Sequence, residues 1–247
     1  MDCHDQEVDS DLELATVIDT AHRQGRLLDA AAQQPLDLAA AYAVQRRLTA
    51  LRTARGAARI GFKLGYTSQV MREQMGVDQP NHGPLLDTMR ITDGRLPADL
   101  IHPRVEPEIA LVLGEDLRPV AAHAALEVVD SIWRDYRFTL ELNTADGSSA
   151  AGLVLGPPLL MEGLDALPVR LTRNGELVGE GTGAAAMGHP LLALEWLQRA
   201  LAGTDDRLRA GDVVITGGLT AAVPLDEGDV VAADFGDGTA TVALRRA

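Results

Sequence analysis

Apolar positions early in the chain recur at helical spacing, and later ones alternate. Leu12, Ala15, Val17, Ile18 and Ala21 fall on one helical stripe within the segment 11–54. A second helix is predicted from about Leu36 to Arg52, with Pro35 separating the two and Gly56 stopping the second. The apolar run Ile60-Gly61-Phe62-Lys63-Leu64-Gly65-Tyr66 reads as a strand, and Thr67-Ser68 as the cap of a short helix ending at Gly76. A Gly/Pro-rich loop covers Val77 to Leu85. From about residue 100 the period shortens to that of strands: Val105–Leu113, Leu126–Val129, Gly152–Leu155, Val169–Thr172, Asp212–Thr216, Val230–Phe235 and Thr239–Leu244. Asn174-Gly175 marks a hairpin turn, and His189–Leu201 is the one clear helix of this half. Many strands with one helix predict an α+β fold with a curled, mixed β core, not a doubly wound sheet. The expected organisation is an N-terminal helical region, 1–56, followed by a β-rich domain, 57–247.

Composition narrows the class. The chain has 247 residues, 46% of them hydrophobic, and a mean hydropathy of +0.01. That suffices for a sizeable core and excludes disorder as the dominant state. No apolar run approaches the roughly 20 residues of a bilayer span. The opening MDCHDQEVDSDLELA is acidic where a signal peptide is basic and then greasy, so a soluble cytoplasmic protein is expected. A single cysteine, Cys3, excludes an internal disulfide framework and a thiolate metal cage. With 22 basic and 36 acidic side chains the net charge is −14. No basic stripe is present to displace counterions from phosphates, which argues against nucleic acid and anionic membranes as partners.

Among the 22 basic residues one is lysine, Lys63, and the rest are arginine. Where composition favours Arg so strongly, a surviving lysine marks a place for a compact ammonium that can donate or shift its pKa. Its position inside an apolar strand is expensive unless the charge is paired or functional.

Val105-Glu106-Pro107-Glu108-Ile109-Ala110-Leu111 carries the strongest chemical signal. On a strand, Glu106 and Glu108 point to one side. Two carboxylates leading into an apolar run repel each other unless a cation lies between them. Glu127 opens a further apolar strand and adds a third carboxylate. Three carboxylates without a Cys or His pattern suit a hard ion, Mg²⁺ or Mn²⁺. Rim glutamates facing solvent are the plainer alternative. The Gly179-Glu180-Gly181-Thr182-Gly183 segment lacks the βαβ context of a dinucleotide loop. His82 and His102 fall in loop-like segments with no Ser or Cys nucleophile beside them, and His189-Pro190 reads as a helix start.

The blocks GFKLGYTSQVMREQMGV, HPRVEPEIALVL, ALEVVDS, TADGSSAAGLVLG, MGHPLLALEWL and GDVVITGGLTAAVP, in this order, resemble the 2-oxo-dienoate hydratase and 4-oxalocrotonate decarboxylase family of the fumarylacetoacetase superfamily. The resemblance runs from about residue 58 to the end. It implies a mixed β-roll core behind an N-terminal helical region. It also implies Mg²⁺ (or Mn²⁺) held by Glu106, Glu108 and Glu127, with Lys63 as the active-site lysine. Leu64, Asp146, Ser149, Thr216 and Gly217 are implied as substrate-binding positions. The substrate would be a small 2-oxo acid and the enzyme a homo-oligomer, in some cases associated with a partner hydratase.

Within the family, HPRVEPEI, the stretch Arg134–Phe138 and Gly217–Ala222 resemble the decarboxylase branch. Hydratases usually carry Asp after Gly-Val-Asp-Gln-Pro, where this chain has Asn81, although the GVDQP stretch itself is hydratase-like. The expected activity is decarboxylation of a 2-oxo-3-enedioate, with hydration of 2-hydroxypenta-2,4-dienoate as the second reading and an inactive partner subunit as the third. Three departures stand out: Ile132 where the family usually has Arg, Gly147 in place of Asn, and a shortened segment between Leu113 and Glu127.

Overall fold

The computed structural model describes residues 3–69, 72–73 and 76–246. The short helix expected up to Gly76 falls partly outside them. Helices α1 (Cys3–Arg23) and α2 (Leu38–Ala54) form where the apolar spacing predicts them, although Leu12 and Val17 of α1 are exposed, and Asp37 caps α2 through Ala40 N–H. Ala15, Ile18 and Ala21 of α1 and Ala41, Val44 and Leu48 of α2 bury a shared seam. Ile132 and Trp133 join that seam together with α3 (Leu140–Ala145), a helix the sequence pattern does not announce. Ile132 is fully buried there, so the apolar residue at this departure packs into the helical cluster.

Eleven strands are formed among the described residues. They are β1 (Arg59–Gly65), β2 (Asn81–Leu86), β3 (Arg104–Leu113), β4 (Pro119–Val129), β5 (Ala150–Leu159), β6 (Pro168–Arg173), β7 (Glu176–Thr182), β8 (Val213–Ile215), β9 (Val223–Pro224), β10 (Val230–Phe235) and β11 (Ala240–Arg245). One sheet has the order β2-β1-β8-β3-β4-β5, with β9 also on β3; the other has the order β11-β10-β6-β7. Between them lies the main core, built from Ile109, Leu111, Leu126 and Val128 on one side and Val169, Leu171, Val231 and Phe235 on the other. Helix α4 (Pro190–Leu201), capped by His189, adds Ala193, Leu194 and Leu197. This is the mixed β-roll expected.

Two segments differ from the sequence reading. Residues 81–86 form a fully buried strand, not a loop, pairing antiparallel with β1 from Lys63↔Gly83 to Gly65↔Asn81. Being an edge strand, β2 tolerates Pro84, because no ladder partner on its far side needs that N–H. The shortened segment after Leu113 is a tight β3–β4 connection with Leu117 in the left-handed region (φ 59°), so these strands pair almost end to end.

The alternation along β3 sorts core from chemistry. Val105, Ile109, Leu111 and Leu113 enter the main core, and Arg104, Glu106, Glu108 and Ala110 take the opposite face. Likewise Leu126 and Val128 of β4 face the core and Glu127 does not; Phe62 and Leu64 of β1 do and Lys63 does not. Pro107 falls between the stretches of β3 that pair with β8 and β9, and its carbonyl accepts from Leu219 N–H across that gap.

Candidate active site

Glu106 and Glu127 are direct cross-strand partners, and Glu108 follows one pleat along the same face. Oxygens from all three carboxylates lie within 4.8 Å of one another. Lys63 reaches the cluster from β1, three strand spacings away in the sheet. On a flat sheet that is about 14 Å. Curl of the sheet and two long side chains close it to an ion pair of 3.2 Å between Lys63 Nζ and Glu127 Oε2. Nζ donates hydrogen bonds elsewhere, to the carbonyl (3.0 Å) and hydroxyl (3.3 Å) of Ser148.

Such a cluster is costly in a dry interior unless a cation completes it. Burial and the neighbouring Glu127 push the Glu106 carboxyl up to about 8 against the pull of Lys63, and raise Glu108 well above the usual carboxylate range. Burial opposes the charge on Lys63, but Glu127, Glu106 and Glu108 outweigh it and raise its pKa. Glu108 Oε2 accepts Gly217 N–H at 2.7 Å. Glu108 Oε1 and Glu127 Oε1 are buried without a hydrogen-bond partner, and Glu127 Oε2 has the Lys63 ammonium beside it as an ion pair. Three converging carboxylates with orphaned oxygens fit a hard divalent cation. The strand-end loop comes up against the carboxylates at a glycine: a Cβ on Gly218 would lie on Glu106 Oε2 and push that side chain from its place.

A cavity of about 390 Å³ opens above the cluster, lined among others by Lys63, Leu64, Tyr66, Thr67, Arg104, Glu106, Val129, Tyr136, Phe138, Asn143 and Ser149. Of the positions implied by resemblance, Leu64 and Ser149 line it beside Lys63 and Glu106, with Glu108 and Glu127 buried behind the wall. Thr216, Gly217 and Asp146 are placed differently. Thr216 Oγ1 is turned to the Ile109 carbonyl, Gly217 meets Glu108 through its N–H, and Asp146 is buried beneath the cavity, hydrogen-bonded to His22 of α1. Asp146 ends α3, and the residues after it, Gly147, Ser148 and Ser149, all have positive φ (72°, 57° and 55°). Glycine adopts this conformation freely; the two serines hold it at a cost, and the turn so formed presents Ser148 to Lys63.

For several neighbours of the site, sequence reasoning marks the position but not the partners. Asn81, fully buried on β2, donates to Asn143 Oδ1 and Thr144 Oγ1 and accepts from Ser148 Oγ. Tyr66 enters the cavity with a positive φ of 56°, its turn tied by Arg72 to the Tyr66 and Thr67 carbonyls. Burial raises the Tyr66 phenol, so it stays neutral. His82 is stacked on Tyr42 and held neutral, its pKa lowered to about 4 by burial and Arg46. The glycines of 179–183 belong to β7 and its end, so that segment is sheet, not a nucleotide loop.

A carboxylate-and-lysine pocket on a curled mixed sheet behind two helices defines the class: residues 85–244 match the model of the fumarylacetoacetate (FAA) hydrolase C-terminal domain, and the chain belongs to that family. Among relatives, a 2-keto-4-pentenoate hydratase of Burkholderia vietnamiensis (strain G4) is 40% identical, covering 83% of this chain and 85% of the relative. A 4-oxalocrotonate decarboxylase of Pseudomonas sp. (strain CF600) is 34% identical, covering 85% and 86%. The solved structure of 4-oxalocrotonate decarboxylase from Pseudomonas putida G7, complexed with magnesium and adipate, superposes with a TM-score of 0.90 at 31% identity, over 97% of this chain and 98% of that one. No helix among the described residues is long and apolar enough to cross a membrane.

Proposed function

We propose that this enzyme decarboxylates a 2-oxo-3-enedioate, releasing CO₂ and a 2-hydroxydienoate. The observation carrying this choice over hydration is Asn81. Adding water to a dienol needs a group that takes and returns protons beside the substrate. At the position where hydratases usually carry Asp, this chain buries an amide already committed to Asn143, Thr144 and Ser148. An amide cannot serve as a proton-transfer group.

Glu106, Glu108 and Glu127 would hold Mg²⁺ (or Mn²⁺), which when bound supplies Lewis acidity toward a 2-oxo carboxylate. The chain's own residues do the rest. Loss of the distal carboxylate as CO₂ leaves the electron pair of the broken C–C bond in the conjugated system, where it reaches the 2-keto oxygen. Lys63 Nζ, kept as an ammonium by the carboxylates and aimed by Ser148, donates toward that growing charge and supplies the proton that yields the 2-hydroxydienoate. Leu64, Val129 and Phe138 line the cavity and keep water from the intermediate.

The second reading, a 2-hydroxypenta-2,4-dienoate hydratase, is favoured by the higher identity to the hydratase relative. Product analysis separates the two. The purified chain with Mg²⁺ should release CO₂ from 2-oxo-3-hexenedioate and leave 2-hydroxypenta-2,4-dienoate unhydrated; hydration without CO₂ release would reverse the assignment. Turnover by the chain alone also separates an active enzyme from an inactive partner subunit.

A further inference from the structure

The cavity is lined by a second cation besides Lys63, and this one is unmatched. Arg104 stands two residues before Glu106 on the same face of β3, so the two line the cavity at successive pleats, with Glu108 one pleat further and buried behind the wall. Lys63 is ion-paired to Glu127; among the described residues no carboxylate pairs with Arg104. Its guanidinium lies over the Tyr136 ring, 3.9 Å from the centroid. Stacking fixes the plane of the group and leaves its N–H edge free. Tyr136 is itself anchored, its hydroxyl donating to the carbonyls of His102 (3.0 Å) and Val129 (3.1 Å). Asp135 lines the same cavity outside ion-pair distance of Arg104.

An unpaired, half-buried guanidinium in a chain of net charge −14 is a strong local departure from the molecule's own field. Two residues along an antiparallel strand span about 6.8 Å, close to the length of a short dicarboxylic acid. The cavity therefore offers a carboxylate-and-lysine cluster, apolar lining from Val129, Phe138, Ala221 and Ala222, and a guanidinium one pleat along β3 from Glu106.

We propose that Arg104 binds the distal carboxylate of the substrate and makes the site selective for dicarboxylates over monocarboxylates. This rests on the decarboxylase reading for the identity of the substrate, but its chemistry is separate. A guanidinium that pairs with the carboxylate before it departs, and loses that pair as the charge leaves, stabilises the bound substrate more than the transition state. Removing it should therefore weaken binding and raise KM without lowering kcat.

The test uses two probes that share the 2-oxo acid head and differ only at the far end: 2-oxoadipate and 2-oxohexanoate. Binding to the full chain with Mg²⁺ is measured by calorimetry. The wild type should prefer 2-oxoadipate by about tenfold or more. Arg104→Gln should abolish that preference while holding 2-oxohexanoate within about twofold of its wild-type affinity. Arg104→Lys, which keeps the charge but loses the stacked fork, should retain part of it. A preference that survives in Arg104→Gln, or is absent from the wild type, overturns the proposal. Loss of binding of both probes in Arg104→Gln also counts against it, because the residue would then serve the whole site. Failure of CO₂ release with the preference intact would refute the decarboxylase reading and leave the role of Arg104 standing.

Discussion

Two buried polar clusters meet at Lys63, and they are built on opposite principles. On one side, Asn81, Asn143, Thr144, Ser148 and Ser149 form a net of neutral amides and hydroxyls in which each side chain meets another. On the other, Glu106, Glu108 and Glu127 crowd like charges together. Of the five buried side-chain atoms without a hydrogen-bond partner among the described residues, three belong to this second cluster. A satisfied polar net rigidifies a fold, whereas an unsatisfied anionic one spends stability to prepare a site. Lys63 joins the two, its donors held by Ser148 of the neutral net and its charge matched by Glu127.

The comparison is broken most forcefully at the carboxylates. Glu127→Gln or Glu106→Gln should cut turnover by about a hundredfold or more at limiting Mg²⁺, since each change removes one of three anionic ligands. Without metal the melting temperature of Glu106→Gln should hold or rise, because a crowded buried carboxyl is gone, whereas Glu127→Gln, which also takes the partner from Lys63, should lower it. Steady-state kinetics with a Mg²⁺ titration, beside thermal denaturation, check both halves; wild-type activity at limiting Mg²⁺ would refute the ligand assignment.

Lys63→Arg probes the junction. The larger, permanently charged head group cannot keep the Ser148 geometry or give up a proton, so kcat should fall by on the order of a hundredfold, equivalent to about 3 kcal/mol, with KM changed much less. Lys63→Ala should fall at least as far. A Lys63→Arg enzyme within about twofold of wild type would show that this lysine is only a charge.

Asn81→Asp attacks the neutral net. An ionised carboxylate cannot donate to Asn143 and Thr144, and each buried acceptor left without its donor costs about 1–3 kcal/mol. The melting temperature should drop by several degrees, at about 2–4 °C per kcal/mol for a chain of this size. Kinetics of the same variant on 2-hydroxypenta-2,4-dienoate sharpen the functional reading: a gain of hydration would show that this one position separates the two activities.

The smallest effect is on pH. A carboxylate whose pKa is raised by folding contributes stability in full below its ordinary value near 4.5 and loses it as pH rises through the folded value, about 8 for Glu106. Metal binding must displace those protons, so Mg²⁺ should bind more tightly as pH rises across this window. Thermal denaturation at about pH 6 and pH 8.5 should show a larger Mg²⁺-induced shift at the higher pH. Equal shifts would mean that the carboxylates are already ionised at the lower pH.

Much of the site was legible in the sequence because it is local. Period-two alternation places Glu106 and Glu108 on one face of β3 whatever the fold, and the count of lysines isolates Lys63 without reference to structure. The long helices and the hairpin at Asn174-Gly175 follow from equally local rules. The misses share a cause. Strand β2 was hidden because Gly83 and Pro84 are breakers unless the strand lies at a sheet edge, and α3 has six residues, too few to show a helical period. Asp146 matched a family block, yet its direction is decided by His22, 124 positions away.

The sequence by itself determined which residues are expensive to bury, three glutamates and one lysine in apolar strands, together with an α+β pattern and a net charge of −14. Only the tertiary structure decided that these charges meet. The curl that carries β1 toward β4, the left-handed turn that presents Ser148, and the stacking of Arg104 on Tyr136 each join residues far apart in the chain. Periodicity reports which side of an element a residue takes. It carries no information on what the packed core sets opposite that side, because that depends on the closure of the whole sheet.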